Sequence, residues 1–317
     1  MSKLNVNVSP HIRSGNTTAG IMLDVIIAMI PVLAASIYYF GFRALYITAV
    51  CVLSCVLGEL AFQLIAKRPV AVGDLSAVVT GMILAFNLPV TIPEWQAIIG
   101  SLVAIVVVKQ LFGGIGYNFA NPAGTARVMM LVSFSGTMTN WTLPHNADLV
   151  STATPLALLS EGKTNKLPEL FSMITGDRAG SLGETCAVAI VFGFVYLLCR
   201  RVITWHIPVV YIATAFVFSY LALGFDIESA VYQMLSGGLL FGAVFMATDY
   251  ATSPPTPWGK VIFGVGCGII TMAVRLWGSN PEGVTFAILF MNILTPYISR
   301  LTRHRIVGAV KLERKKA

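Results

Sequence analysis

The residues with the most chemistry to offer in this apolar chain are Asp148-Leu149-Val150-Ser151-Thr152-Ala153-Thr154-Pro155-Leu156. The order is Asp, two free positions, Ser, one free position, then Ala-Thr. Thr154 ends the pattern with a hydroxyl that can accept a transferred group. Asp148, six residues earlier, can polarise that hydroxyl. Ala153 is small, and Pro155 holds the preceding backbone in extended forms. Both suit a segment offered to another enzyme's cleft, which requires an exposed Thr154. The plainer reading is a loop, because Ser, Thr and Pro clusters are ordinary turn chemistry.

Acidic residues at membrane depth form the second group. Glu59 lies well within an apolar segment, Asp24 just inside another, and Asp74 and Asp249 at segment borders. Ionisable groups at such depth are functional candidates. Glu59 is therefore the candidate for ion or proton coupling. The alternatives are a buried pair with a base, or a place near the interface above Lys67 and Arg68. Cys51, Cys55, Cys186, Cys199 and Cys267 show no CxxC spacing. Cys51 and Cys55 share a helix face, but a buried cysteine usually behaves as a small hydrophobe.

These residues must be positioned by membrane helices. The chain is 56% hydrophobic and only 11% charged, whereas soluble domains carry about 25% charged residues. Ten apolar segments are predicted, near 21–40, 44–66, 75–88, 95–113, 121–136, 185–203, 206–224, 229–247, 258–277 and 283–300. Segments 75–88 and 121–136 are short for a full span of about 20 residues. Short pieces survive where neighbouring protein covers their ends. The first twenty residues are polar and lack a cleavage signal, so the first apolar segment is expected to stay in the membrane. The net charge of +7 does not imply nucleic-acid binding, because the basic residues gather at segment ends and in a tail from Arg300 to Lys316.

With the N-terminus inside and ten spans, 16 Lys and Arg fall on the cytoplasmic side and 5 outside. This split favours that orientation. It makes residues 1–20 a cytoplasmic segment and 21–136 a first five-helix half. Residues 137–184 become an extracytoplasmic loop, 185–300 a second five-helix half, and 301–317 a basic cytoplasmic tail. Asn121-Pro122-Ala123-Gly124 is echoed by Asn280-Pro281-Glu282-Gly283, an offset of 159 residues. Pro93-Glu94-Trp95 is echoed by Thr256-Pro257-Trp258, and Thr80 to Leu84 by Gly237 to Phe241. Five spans per half would make the repeats inverted, as in many transport folds. Asn121 as N-cap and Pro122 at the first helical position mark a helix start. The glycine runs at Gly113-Gly114-Ile115-Gly116, Gly237-Gly238 and Gly264 to Gly268 read first as close helix packing.

The order Asp148-x-x-Ser151-x-Ala153-Thr154 resembles the recognition motif of flavin transferases, which join FMN through its phosphate to the final threonine. The family prefers glycine at the position of Thr152, a mild departure. Asn118-Phe119-Ala120-Asn121-Pro122-Ala123 is similar to a Phe-Asn-Pro-Ala sequence in related subunits. With these motifs, essentially the whole chain resembles RnfD, the D subunit family of the Rnf ion-translocating ferredoxin:NAD oxidoreductase. It is similar also to NqrB of the sodium-pumping NADH:quinone reductase. The resemblance implies an all-α polytopic protein of the bacterial plasma (inner) membrane, with FMN covalently held by Thr154 and with Asp148, Ser151 and Ala153 as motif residues. It implies electron transfer coupled to sodium or proton movement, and a second, noncovalent flavin such as riboflavin. The implied partners are RnfA, RnfB, RnfC, RnfE and RnfG, a flavin transferase and the lipid bilayer. A small-solute permease and a non-redox scaffold protein are the rival readings.

Overall fold

A computed structural model describes residues 17–144, 152–161, 167–278 and 282–303. Asp148, Ser151, Lys163, Lys166, Asn280, Pro281, the first sixteen residues and most of the basic tail lie outside them. The described residues build an all-helical membrane protein. Every predicted apolar segment carries helix: α1 (Thr18–Phe40), α2 (Phe42–Ile65), α3 (Ser76–Phe86), α4 (Glu94–Leu102), α5 (Pro122–Ser133), then, beyond the long loop, α9 (Ala187–Cys199), α10 (His206–Ala222), α11 (Ile227–Leu235), α12 (Leu239–Phe241), α13 (Pro257–Trp277) and α14 (Val284–Leu301). The loop adds α6 (Ser135–Met138), α7 (Pro155–Ser160) and α8 (Leu170–Thr175).

Local chemistry sets the starts of these helices. Side chains of Thr17, Asn121, Thr256 and Asp226 accept hydrogen bonds from free backbone N–H groups of the first turns, as N-caps do. Pro122 and Pro257 occupy first helical positions, where a missing N–H costs nothing.

Four helices, α1, α2, α13 and α14, are long and apolar enough to cross a membrane on their own. Two predicted spans depart from simple rods. Segment 95–113 begins as α4 and continues as a π-helix over Val103–Gln110. Segment 229–247 is broken: α11 and the unit made of α12 with the π turn Gly242–Met246 meet at 62°. The break falls on Ser236-Gly237-Gly238, where Gly237 and Gly238 take φ of 67° and 66°. That left-handed backbone is open to glycine at little cost.

α1 packs on α9, α5 on α14, α2 on α3, and α10 on α13. On the last contact a Cβ on Gly268 would lie 2.7 Å from the Thr214 Cβ, so small residues set the helix separation. Leu53, Leu57, Phe192, Phe290 and Ile293 are exposed on outward faces, as expected where lipid is the solvent.

The loop after α6 is no free excursion. Gly183 N–H donates to Phe86 O (2.8 Å) and Leu182 N–H to Leu88 O (3.2 Å). The Ser36 hydroxyl donates to Leu182 O (2.5 Å) and Tyr39 to Thr175 O (2.9 Å). Its second half therefore dips back among the ends of α1 and α3.

Candidate functional site

Thr154 is the N-cap of α7. Its hydroxyl oxygen accepts the Ala157 N–H at 3.2 Å, and Pro155 follows at the first helical position. The residue is only 9% exposed, whereas the sequence pattern predicts an exposed hydroxyl. Pro155 does more than hold an extended segment: it also starts a short helix, and the cap draws the hydroxyl inward. Thr152 N–H donates to Trp141 O at 2.9 Å, anchoring the segment to the stretch that follows α6. Ala153 and Thr152 line an open cleft of ≈ 610 Å³ together with Leu143, Leu158, Asp177 and Arg178. Thr152 Oγ1 and Arg178 Nε are buried there without hydrogen-bond partners among the described residues. The cleft falls in the usual range for small-molecule sites, about 300–1,000 Å³. Asp148 and Ser151 lie outside the described residues.

Beneath this cleft lies a layer of buried charge that sequence reasoning missed. Arg178 donates from Nη2 to Glu184 O (2.7 Å) and from Nη1 to Met173 Sδ (3.7 Å). The Glu184 carboxylate accepts the Gly237 N–H (3.2 Å) and the Ser181 hydroxyl (3.0 Å). Arg275 donates to Gln233 O (2.5 Å) and Ser236 O (2.8 Å). Arg127 donates to Asn87 Oδ1 (2.7 Å) and Glu282 Oε2 (2.6 Å). The chemistry of the break explains the placement. The end of α11 exposes carbonyls and partial negative charge, which Arg275 meets; the start of α12 exposes N–H groups, which Glu184 meets. Arg127, Arg178 and Arg275 face Glu184 and Glu282, so three guanidinium groups meet two carboxylates. The signal available in sequence was the position of Arg127 and Arg275 within apolar segments. Counting them as loop charges concealed it.

Glu59 belongs to a separate cluster. It is 1% exposed, and the Lys109 ammonium binds both its oxygens, at 2.9 and 3.1 Å. Lys109 also donates to the Ser76 hydroxyl (2.5 Å), which in turn donates to Asp74 (2.5 Å). Gln110 Nε2 adds a bond to Glu59 at 2.5 Å, and Gln63 Nε2 one at 3.4 Å. Lys109 and Gln110 are consecutive, yet both reach Glu59 from the end of the π-helix, a geometry frequent at functional sites. Of the two alternatives for Glu59, the buried pair with a base is the one present.

The remaining candidates have local partners. Asp24 binds Arg200 (3.1 and 3.2 Å) and Tyr196 (3.0 Å), tying α1 to α9. Asp249 accepts from Ala251 N–H and the Thr252 hydroxyl. Cys51, Cys55 and Cys267 are buried free thiols, and no metal-binding group of His, Cys, Asp or Glu occurs among the described residues. Asn121 caps α5 through Gly124 N–H (3.0 Å) and donates to Met246 O (3.1 Å), so it also joins α5 to the π turn Gly242–Met246.

Broken and short helices around buried charges, with a folded loop over one end, define a polytopic membrane protein. Residues 5–308 match the NQR2, RnfD, RnfE family, and the chain belongs to that family. It is 47% identical to the D subunit of the Na(+)-translocating ferredoxin:NAD(+) oxidoreductase complex of Acetobacterium woodii, over 99% of each chain. It is 37% identical to the D subunit of the proton-translocating ferredoxin:NAD(+) oxidoreductase complex of Clostridium ljungdahlii, over 94% of each. It is 36% identical to the D subunit of an ion-translocating oxidoreductase complex of Haemophilus influenzae, over 95% of this chain and 96% of the relative.

Proposed function

We propose that this chain is the D subunit of an ion-translocating ferredoxin:NAD oxidoreductase complex in a bacterial plasma membrane, with FMN joined through its phosphate to Thr154. It works with the other Rnf subunits and is matured by a flavin transferase. The observation that carries the reading is the setting of Thr154: a motif threonine, held by a cap beside a cleft large enough for a ring system, in a chain alike end to end to subunits of that complex. The protein's part is position and electrostatics, since the cofactor supplies the redox chemistry. Ala153 and Thr152 would lie against the attached group, and the buried arginines would set the local charge.

Glu59 is proposed as an ion-coupling residue. Its support is the chain of hydrogen bonds that runs from buried Glu59 through Lys109 and Ser76 to Asp74 at the border of an apolar segment. A second, noncovalent flavin is carried over from the family resemblance alone; the cavity of ≈ 100 Å³ lined by Lys109, Ser76, Asn118, Asn121, Thr248 and Asp249 is smaller than the usual small-molecule site of about 300–1,000 Å³. We also propose two inverted halves with the 137–184 loop outside the cytoplasm. Counting Lys109, Arg127, Arg178 and Arg275 as buried takes two charges from each side, so 16 against 5 becomes 14 against 3.

The test is in-gel flavin fluorescence after denaturation, with the transferase coexpressed. Wild type and Thr152→Ala should fluoresce, Thr154→Ser weakly, and Thr154→Ala not at all. No fluorescence in any variant would leave the permease or scaffold reading standing.

A further inference from the structure

We propose that Arg178 is the charge-balancing residue of the flavin site: its guanidinium, buried behind the cleft beside Thr154, offsets the negative charge that FMN gains on reduction. This rests on the reading that Thr154 carries FMN. The argument begins with the buried layer. Arg127, Arg178 and Arg275 are nearly inaccessible to solvent, and so is Glu184, while the Glu282 side chain is 13% exposed. Among the described residues two carboxylates face three guanidinium groups, which leaves one positive charge without a counter-charge there, and all three Nε atoms lack partners among the same residues. An unbalanced buried cation is costly unless an anion accompanies it.

Of the three arginines, Arg178 is the one that lines the cleft. Its hydrogen-bond partners are a backbone carbonyl and a thioether, and the carboxylate of Glu184 acts on it without a direct hydrogen bond. The carboxylate of Glu184 turns instead to Gly237 and Ser181. Asp177 and Glu161 also line the cleft, but both are exposed, where water and salt screen them. Arg178, 2% exposed, acts through protein. One electron from an iron–sulfur centre of a neighbouring subunit adds one negative charge at the flavin, and that centre is oxidised by one electron. No bond forms or breaks. Arg178 is placed to balance that charge without taking up or losing a proton.

The test uses the purified complex made with the transferase present. Fluorescence after denaturation first establishes that FMN is attached; its absence in wild type would overturn the attachment reading itself. The midpoint potential of the attached flavin is then measured by spectroelectrochemical titration. Arg178→Gln should weaken stabilisation of the reduced flavin at least tenfold, a fall of about 59 mV for a one-electron couple, and Arg178→Lys should fall less. Glu184→Gln keeps an acceptor for Gly237 N–H but removes a negative charge, so it should shift the potential upward. This opposite sign is readable even if Arg178→Gln fails to assemble. Attached flavin with an unmoved potential in Glu184→Gln and in whichever Arg178 variant assembles would overturn the proposal.

Discussion

Two buried charge clusters lie at the two ends of α3, and they are built on opposite plans. At Ser76, the first residue of α3, Glu59 and Lys109 form a matched pair, and hydrogen bonds carry it through Ser76 to Asp74. At Asn87, just past its last residue, three arginines share two glutamates around a broken helix. The helix has 11 residues, so the clusters are roughly 16 Å apart at 1.5 Å per residue. α3 is far short of the ~30 Å of a bilayer core, and both its ends lie within the protein. The contrast teaches that buried charge here serves two purposes. The matched pair holds helices together; the unbalanced layer holds a helix break open and leaves positive charge beside the cleft.

The largest expected effect comes from breaking the matched pair. Lys109→Met leaves Glu59 buried without its cation and should cost about 3–5 kcal/mol. The double variant Glu59→Gln with Lys109→Met should recover most of that loss, as measured by denaturation in detergent. A double variant no more stable than the single one would show that the pair is not an isolated unit. The same reasoning changes what a Glu59→Gln transport assay can mean. Assembly should fall along with transport, so only the ratio of ions moved per electron in the assembled fraction reports on coupling.

The arginine layer should respond asymmetrically. Glu184→Gln leaves three positive groups against one negative and should destabilise by about 1–3 kcal/mol, in the range for a disturbed buried hydrogen bond. Arg178→Gln brings the layer into balance and should cost less. Equal losses would mean that charge count does not govern this region.

How much of this was legible depends on the range of the interaction. The helical segments follow from hydropathy, and the cap at Asn121 follows from neighbours within four residues. The partner of Glu59 did not, because Lys109 is 50 residues away and nothing in either segment's spacing selects it. Gly237-Gly238 was visible, but its reading as helix packing missed that consecutive left-handed residues end one helix and begin another. Rules for surface charge do not fit Arg127 and Arg275, because a broken helix supplies polar ends inside the membrane. For Thr154 the motif was legible and the environment was not. Burial depends on the packing of α7 against α11, which no local pattern encodes.

A smaller effect would sharpen the account of the break. Gly237→Ala forces a side chain into left-handed backbone, at about 1–2 kcal/mol. It also meets Arg275 Nη2 and the Leu156 Cδ2 at 2.7 Å, whereas at Gly238 the nearest atom is the Glu184 Oε2 at 3.6 Å. Gly237→Ala should therefore lower the midpoint temperature more than Gly238→Ala.

The smallest effect is at Asp226, whose exposed carboxylate caps α11 and contrasts with the buried acids. Hydrogen bonding from Ser229 holds its pKa below the usual value. Its contribution is then present above the unfolded pKa and is lost as pH falls through the folded one. Asp226→Asn should remove that slight acid-side decline from the pH profile of thermal stability.

The most direct measurement is the mass of the peptide containing Thr154, with fragmentation to place any modification. Protein made with an active transferase should give a peptide heavier by FMN less one water, with the added mass on Thr154. An unmodified peptide, or the added mass on Thr152 or Ser151, would contradict the assignment.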